Sequence, residues 1–107
     1  MDFKENRELV NILMTCAAEC NHCMTACLDE EDVSLMARCI ELDVDCAGIC
    51  TLTAGFVARN SESVDTLVAL CGEVCQACAD ECAKHEAEHC QRCAEICRRC
   101  TEACRVN

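Results

Sequence analysis

The sequence predicts an all-α fold, an antiparallel up-down-up-down four-helix bundle with a cysteine-lined core, and three observations carry that expectation. The composition holds no proline, three glycines and two aromatics, Phe3 and Phe56, while Ala, Leu, Val, Glu and Cys dominate, which favours long helices over strands and sharp turns. Apolar and thiol side chains recur every three or four residues through four segments, the period of one helix face. The stretches between those segments are short and polar, and short connections make successive helices antiparallel neighbours. With 107 residues the chain is expected to form one domain over 1–107, small enough that an added stabiliser would matter.

The first helix is expected over 3–28, with Leu9, Leu13, Cys16, Cys20, Cys23 and Cys27 on one stripe, aliphatic in its first half and thiol in its second. Asp29, Glu30, Glu31 and Asp32 interrupt the pattern and read as a turn and a solvated helix start, their charge favouring the positive end of the next helix. A second helix over 32–59 carries Met36, Cys39, Asp43, Cys46, Cys50, Thr53 and Val57. Asn60, Ser61 and Ser63 then supply cap chemistry. The third helix, 62–83, repeats the plan of the first, with Val64, Leu67 or Val68, Cys71, Cys75, Cys78 and Cys82. After a connection at 84–86, the fourth helix, 86–105, presents Cys90, Cys93, Cys97, Cys100 and Cys104, with His85 and His89 just ahead of the thiols. The four cysteines of the first helix and the four of the third share one spacing, consistent with two related hairpins.

The stripe is the only face common to all four helices, so it is expected to point inward. Antiparallel connectivity then gathers Met24, Cys27, Met36, Cys39, Cys82, His85, His89 and Cys90 at one end, a polar mouth for metal. Phe3, Leu9, Leu13, Val57, Val64, Leu67 and Val68 collect at the other as an apolar plug. Asp43 is the exception, a carboxylate where the spacing would place another cysteine. An ionised carboxylate in a dry core is costly unless it is paired, protonated or hydrogen-bonded; Asp43 is an accessory-ligand candidate at the mouth, although its hard oxygen matches a soft metal poorly.

Sixteen cysteines in a chain of this length fit a secreted disulfide scaffold by composition alone. Against that reading, the charged start M-D-F-K-E-N-R-E-L lacks the apolar stretch of a secretory signal, and thiols spaced along one helix face are badly placed for bridges within the helix. The expected location is therefore the cytoplasm, with reduced thiols. A formal charge of −11 argues against a nucleic-acid partner, and no run is long enough to span a membrane.

A soft thiolate site selects copper(I), zinc or iron–sulfur clusters. Charge separates them. If sixteen thiols each exchange a proton for one copper(I), buried charge does not change, whereas four zinc–tetrathiolate sites would leave a net charge of about −8 in the core. The pairs Cys16/Cys20, Cys23/Cys27, Cys46/Cys50, Cys71/Cys75, Cys78/Cys82, Cys93/Cys97 and Cys100/Cys104 place their Cβ atoms roughly 5–6 Å apart, which suits convergence on a two-coordinate ion. Multiple copper(I) ions, about one per cysteine, are the expected cargo. The competing readings are a zinc or iron–sulfur protein, a thiol redox protein, and a structural bundle that uses cysteine as a small core residue. No grouping of base, nucleophile and oxyanion donors suggests an enzyme.

The repeated C-x-x-x-C pairs, and above all the run H-C-Q-R-C-A-E-I-C-R-R-C-T-E-A-C, resemble the bacterial four-helix-bundle copper storage proteins, specifically the cytosolic branch. The resemblance covers essentially the whole chain. It implies a bundle whose sixteen core cysteines hold copper(I), metal entering at the histidine-bearing end, His85 or His89 as accessory ligands, and a homotetramer. The single Cys39 followed by Asp43 departs from the paired pattern. Among the remaining residues, Met24 and Met36 are gap-fillers or thioether ligands at the mouth. His22 lies off the stripe as a solvated or interface histidine. Arg92, Arg98, Arg99 and Arg105 form the outer face of the last helix, and Ile40, Val44, Gly48 and Leu52 give the second helix an extra apolar face suited to a subunit interface. The sequence identifies no copper donor or acceptor.

Overall fold

A computed structural model describes residues 3–106. Four helices run α1 (Phe3–Leu28), α2 (Ala37–Ala58), α3 (Val64–Cys82) and α4 (Glu88–Val106), in a rod of 46 × 17 × 17 Å. Each helix packs on two neighbours, α1 on α2 and α4, and α3 on α2 and α4, so the four form a square with the core along its axis. No helix among the described residues is long and apolar enough to cross a membrane.

The boundaries follow local chemistry. The last turn of α1 tightens as Asp29 and Glu30 donate N–H bonds to the carbonyls of Ala26 and Cys27. The second helix was expected from residue 32, but residues Val33–Met36 form a 3-10 turn and the α-helix begins at Ala37. The Asp32 side chain makes no capping bond there, so nothing draws the α-helix back to the acidic cluster. α2 ends in a Schellman motif: Asn60 takes a left-handed φ of 54°, its N–H bonds to the Val57 carbonyl, and Ser61 N–H bonds to that of Phe56. Asparagine tolerates this conformation better than most non-glycine residues. α3 and α4 each start two residues later than the sequence pattern suggests. Gln91 ties down the connection between them, its Nε2 donating to the carbonyls of His85 at 2.6 Å and Ala83 at 3.2 Å.

The stripe does point inward. Leu9, Leu13, Val57 and Val68 are buried at the end away from the histidines, Val64 and Leu67 only partly so, and Phe3, expected in this plug, is exposed; the cysteines fill the remainder of the axis. Beside the thiols runs a second buried row that periodicity alone does not single out. Ala17, Ala47, Gly72, Ala79, Ala94 and Thr101 each directly follow a buried cysteine. These small residues let neighbouring helices approach closely; a Cβ built on Gly72 would lie 3.3 Å from the Cβ of Cys104. On the outer face of α4, Arg92 pairs with Glu19 at 2.8 Å across to α1 and Arg99 with Glu95 at 2.7 Å along the helix, while Arg105 donates to the Gln76 amide oxygen at 3.2 Å.

Because cysteine is small, the aliphatic plug carries a disproportionate share of apolar burial. Leu13→Ala, at a site with no exposure, is expected to destabilise the metal-free protein by about 2–5 kcal/mol in urea denaturation. Leu70→Ala, on the exposed side of α3, should change stability by less than about 0.5 kcal/mol.

Candidate metal centre

All sixteen cysteines are free and buried. Fifteen have no exposed surface and Cys104 has 5%. α1, α3 and α4 supply four, four and five thiols, while α2 supplies Cys39, Cys46 and Cys50, with Asp43 on the same stripe.

The sulfurs form a ladder of quartets whose members lie within 4.8 Å of one another. At the histidine end stands Cys23–Cys27–Cys39–Cys90. Deeper come Cys20–Cys78–Cys93–Cys97, then Cys16–Cys20–Cys46–Cys97, Cys16–Cys46–Cys50–Cys75 and Cys50–Cys71–Cys75–Cys100. From the second quartet onward, each shares two sulfurs with the next. Contacts such as Cys46–Cys75 at 3.5 Å and Cys20–Cys97 at 3.6 Å cross between adjacent helices, and Cys46–Cys97 at 4.0 Å and Cys50–Cys100 at 3.9 Å span the diagonal. Cys104 closes the far end against Cys71 and Cys100.

Asp43 and Cys82 link the mouth quartet to the rest. Cys82 Sγ lies 3.4 Å from Cys39 and 4.0 Å from Cys78. The Asp43 carboxyl has no exposed surface; its Oδ1 accepts S–H bonds from Cys78 and Cys93 at 3.3 Å and from Cys82 at 3.6 Å, and its Oδ2 accepts one from Cys39 at 3.9 Å. Of the solutions open to a buried acid, it has protonation and thiol hydrogen bonds. Burial pushes its pKa up to about 10. Burial likewise pushes the mouth thiol Cys27 up to about 12 and raises Cys90. Metal ligation by Cys27 or Cys90 must therefore displace a thiol proton.

The two candidate histidines differ in placement. His89 turns Nδ1 toward the mouth quartet, 3.5 Å from Cys90, 3.6 Å from Cys23 and 3.8 Å from Cys27, while its Nε2 lies 2.9 Å from Glu30 Oε1. His85 instead places Nε2 3.0 Å from Glu81 Oε2. Glu81 is itself buried and also faces Arg38 at 3.4 Å and Lys84 at 3.5 Å. Met36 is buried in the core, Met24 is half-buried, and His22 is exposed. Sequence periodicity missed Glu30 and Glu81. Glu81 was open to discovery, one helical turn before His85; Glu30 meets a partner 59 residues away, which no local pattern reveals.

A family model described as copper storage protein matches residues 2–107. The chain belongs to the copper storage protein family. This family member is 41% identical over 77 residues to the cysteine-rich protein YhjQ of Bacillus subtilis strain 168, covering 72% of this chain and 71% of that one. Among solved structures, the Cu(I)-bound copper storage protein BsCsp3 matches with a TM-score of 0.91 and 38% identity over 95% of this chain and 96% of that one. A cytosolic copper storage protein from Streptomyces lividans, determined with five coppers, matches with a TM-score of 0.93 and 38% identity over 96% and 91% of the two chains. The predicted family and four-helix fold thus stand.

Between the ordinary carboxylate range and about 10, the unfolded chain has lost the Asp43 proton and the folded chain keeps it, so this group lowers stability progressively as pH rises through that window. Asp43→Asn, which stays neutral, is expected to raise the melting temperature of the reduced, metal-free protein by about 5 °C at pH 8, the gain shrinking as pH falls to 5. A gain independent of pH would show that Asp43 is ionised in the folded state.

Proposed function

We propose that this member of the copper storage family holds copper(I) in the cytosol through its sixteen core thiolates, at about one ion per cysteine. The observation that carries this reading is the overlap of the sulfur quartets. Shared sulfurs suit an ion that accepts two or three bridging thiolates, whereas isolated tetrahedral zinc sites need four sulfurs each. Sulfur separations alone would suit zinc too; charge decides. Each copper(I) replaces one thiol proton and leaves the core neutral, and zinc–tetrathiolate sites would accumulate negative charge among groups with no buried cation nearby.

Metal enters at the end bearing His85, His89, Met24 and Met36, where Cys23, Cys27, Cys39 and Cys90 take it first and the ladder passes it inward. His89 is the accessory ligand best placed to join that quartet, with Nδ1 beside three of its sulfurs. His85 would have to leave Glu81 to take part. Asp43 acts as a thiol acceptor at the first step inward, and Met36 lines the approach. The chain is a store and not an enzyme: filling the thiolate sites leaves no fixed open coordination position for a substrate. The apolar outer face of α2, with Val44 and Leu52 about half exposed, suits assembly into a homotetramer. Neither nucleic acid nor membrane is a partner in this reading.

Anaerobic titration of the reduced protein with copper(I) against a competing chelator, with elemental analysis, should saturate near one ion per thiol with little change in helix content. Saturation at two or three ions would sink the proposal. His85→Ala together with His89→Ala should slow loading more than it lowers capacity, read by stopped-flow uptake; equal rates would remove the mouth from the pathway.

A further inference from the structure

We propose that Glu30 is a positioning residue for the entrance, fixing the tautomer and orientation of His89 so that its Nδ1 lone pair faces the mouth sulfurs. This rests on the reading that metal enters at the histidine end. A carboxylate accepts hydrogen bonds and cannot donate, so the 2.9 Å contact between His89 Nε2 and Glu30 Oε1 requires the proton on Nε2. A neutral ring then carries its lone pair on Nδ1. That nitrogen lies 3.5–3.8 Å from the sulfurs of Cys90, Cys23 and Cys27, where one thiol at a time can donate to it in the metal-free protein and a soft cation can take that proton's place. The opposite tautomer would set an Nε2 lone pair against the carboxylate oxygen and an N–H toward the metal position.

Glu30 belongs to the turn after α1, and His89 to the first turn of α4. Their contact therefore exists only once the two helices are packed. An ordinary surface ion pair contributes little to stability. This pair differs in what the other side of the ring touches: the histidine side chain is 16% exposed and is held between a carboxylate and a sulfur cluster. Carboxylates behind ligating histidines commonly tune affinity or activity about 10–100-fold.

The test uses the reduced full chain under anaerobic conditions, with folding of each variant checked by circular dichroism. Long-range 1H–15N spectra of the histidine rings should show His89 as the Nε2–H tautomer in the wild type, a changed tautomer balance in Glu30→Ala, and retention in Glu30→Gln, whose amide oxygen can still accept. Initial uptake from copper(I) bicinchoninate should fall about 10-fold in Glu30→Ala and largely recover in Glu30→Gln, with total capacity unchanged. In a His89→Ala background, Glu30→Ala should add no further loss. A wild-type tautomer and rate in Glu30→Ala would overturn the assignment, as would an equal loss without His89, which would make Glu30 a general attractor of cations. If His89→Ala alone loads at the wild-type rate, the entrance reading fails, and the tautomer spectrum still decides whether Glu30 fixes the ring.

Discussion

Neutrality of a dry core is the constraint on which this bundle depends. Sixteen ionisable groups are buried along one axis, and they are tolerable there only as neutral thiols or as thiolates matched one for one by monovalent cations. The same rule explains Asp43. Its carboxyl keeps its proton and accepts from four thiols instead of standing as an unpaired charge. Filling the ladder with copper(I) preserves this balance, so the bundle can load without rebuilding itself around new charge.

Using thiols for the core also sets the shape. Cysteine is smaller than leucine, and the helices close the difference by approaching over alanines, one glycine and one threonine that flank the sulfur rows. The bundle is 17 Å across and 46 Å long, and sulfurs meet across its diagonal. Leu9, Leu13, Val57 and Val68 close the far end with apolar packing that the thiols supply less well. Stability and storage are thereby divided along the axis: hydrocarbon at one end, exchangeable sulfur through the middle, polar groups at the mouth.

At that mouth the two histidines are held differently. His89 bridges a carboxylate and three sulfurs, and His85 is drawn into an ion-pair cluster around the buried Glu81 with Arg38 and Lys84. The carboxylates come from the α1–α2 turn and from α3, and the imidazoles from the α3–α4 connection and α4, so this end is assembled from parts far apart in the chain.

The sequence by itself determined the four helices, their inward stripe and the end at which the histidines collect, because helical periodicity and short connections are local properties. It also marked Asp43 as exceptional, since a carboxylate at a thiol position breaks a pattern visible without coordinates. Only the tertiary structure decided how that acid is satisfied, which sulfurs share a quartet, and which histidine faces them. Those depend on the rotation and stagger of one helix against another, and on contacts such as Glu30–His89 and Asp43–Cys93 between residues 50 or more positions apart. The 3-10 turn at 33–36 escaped periodicity because Met36 is buried as the stripe expects while its backbone still lies ahead of the α-helix, a difference of winding that side-chain spacing does not register.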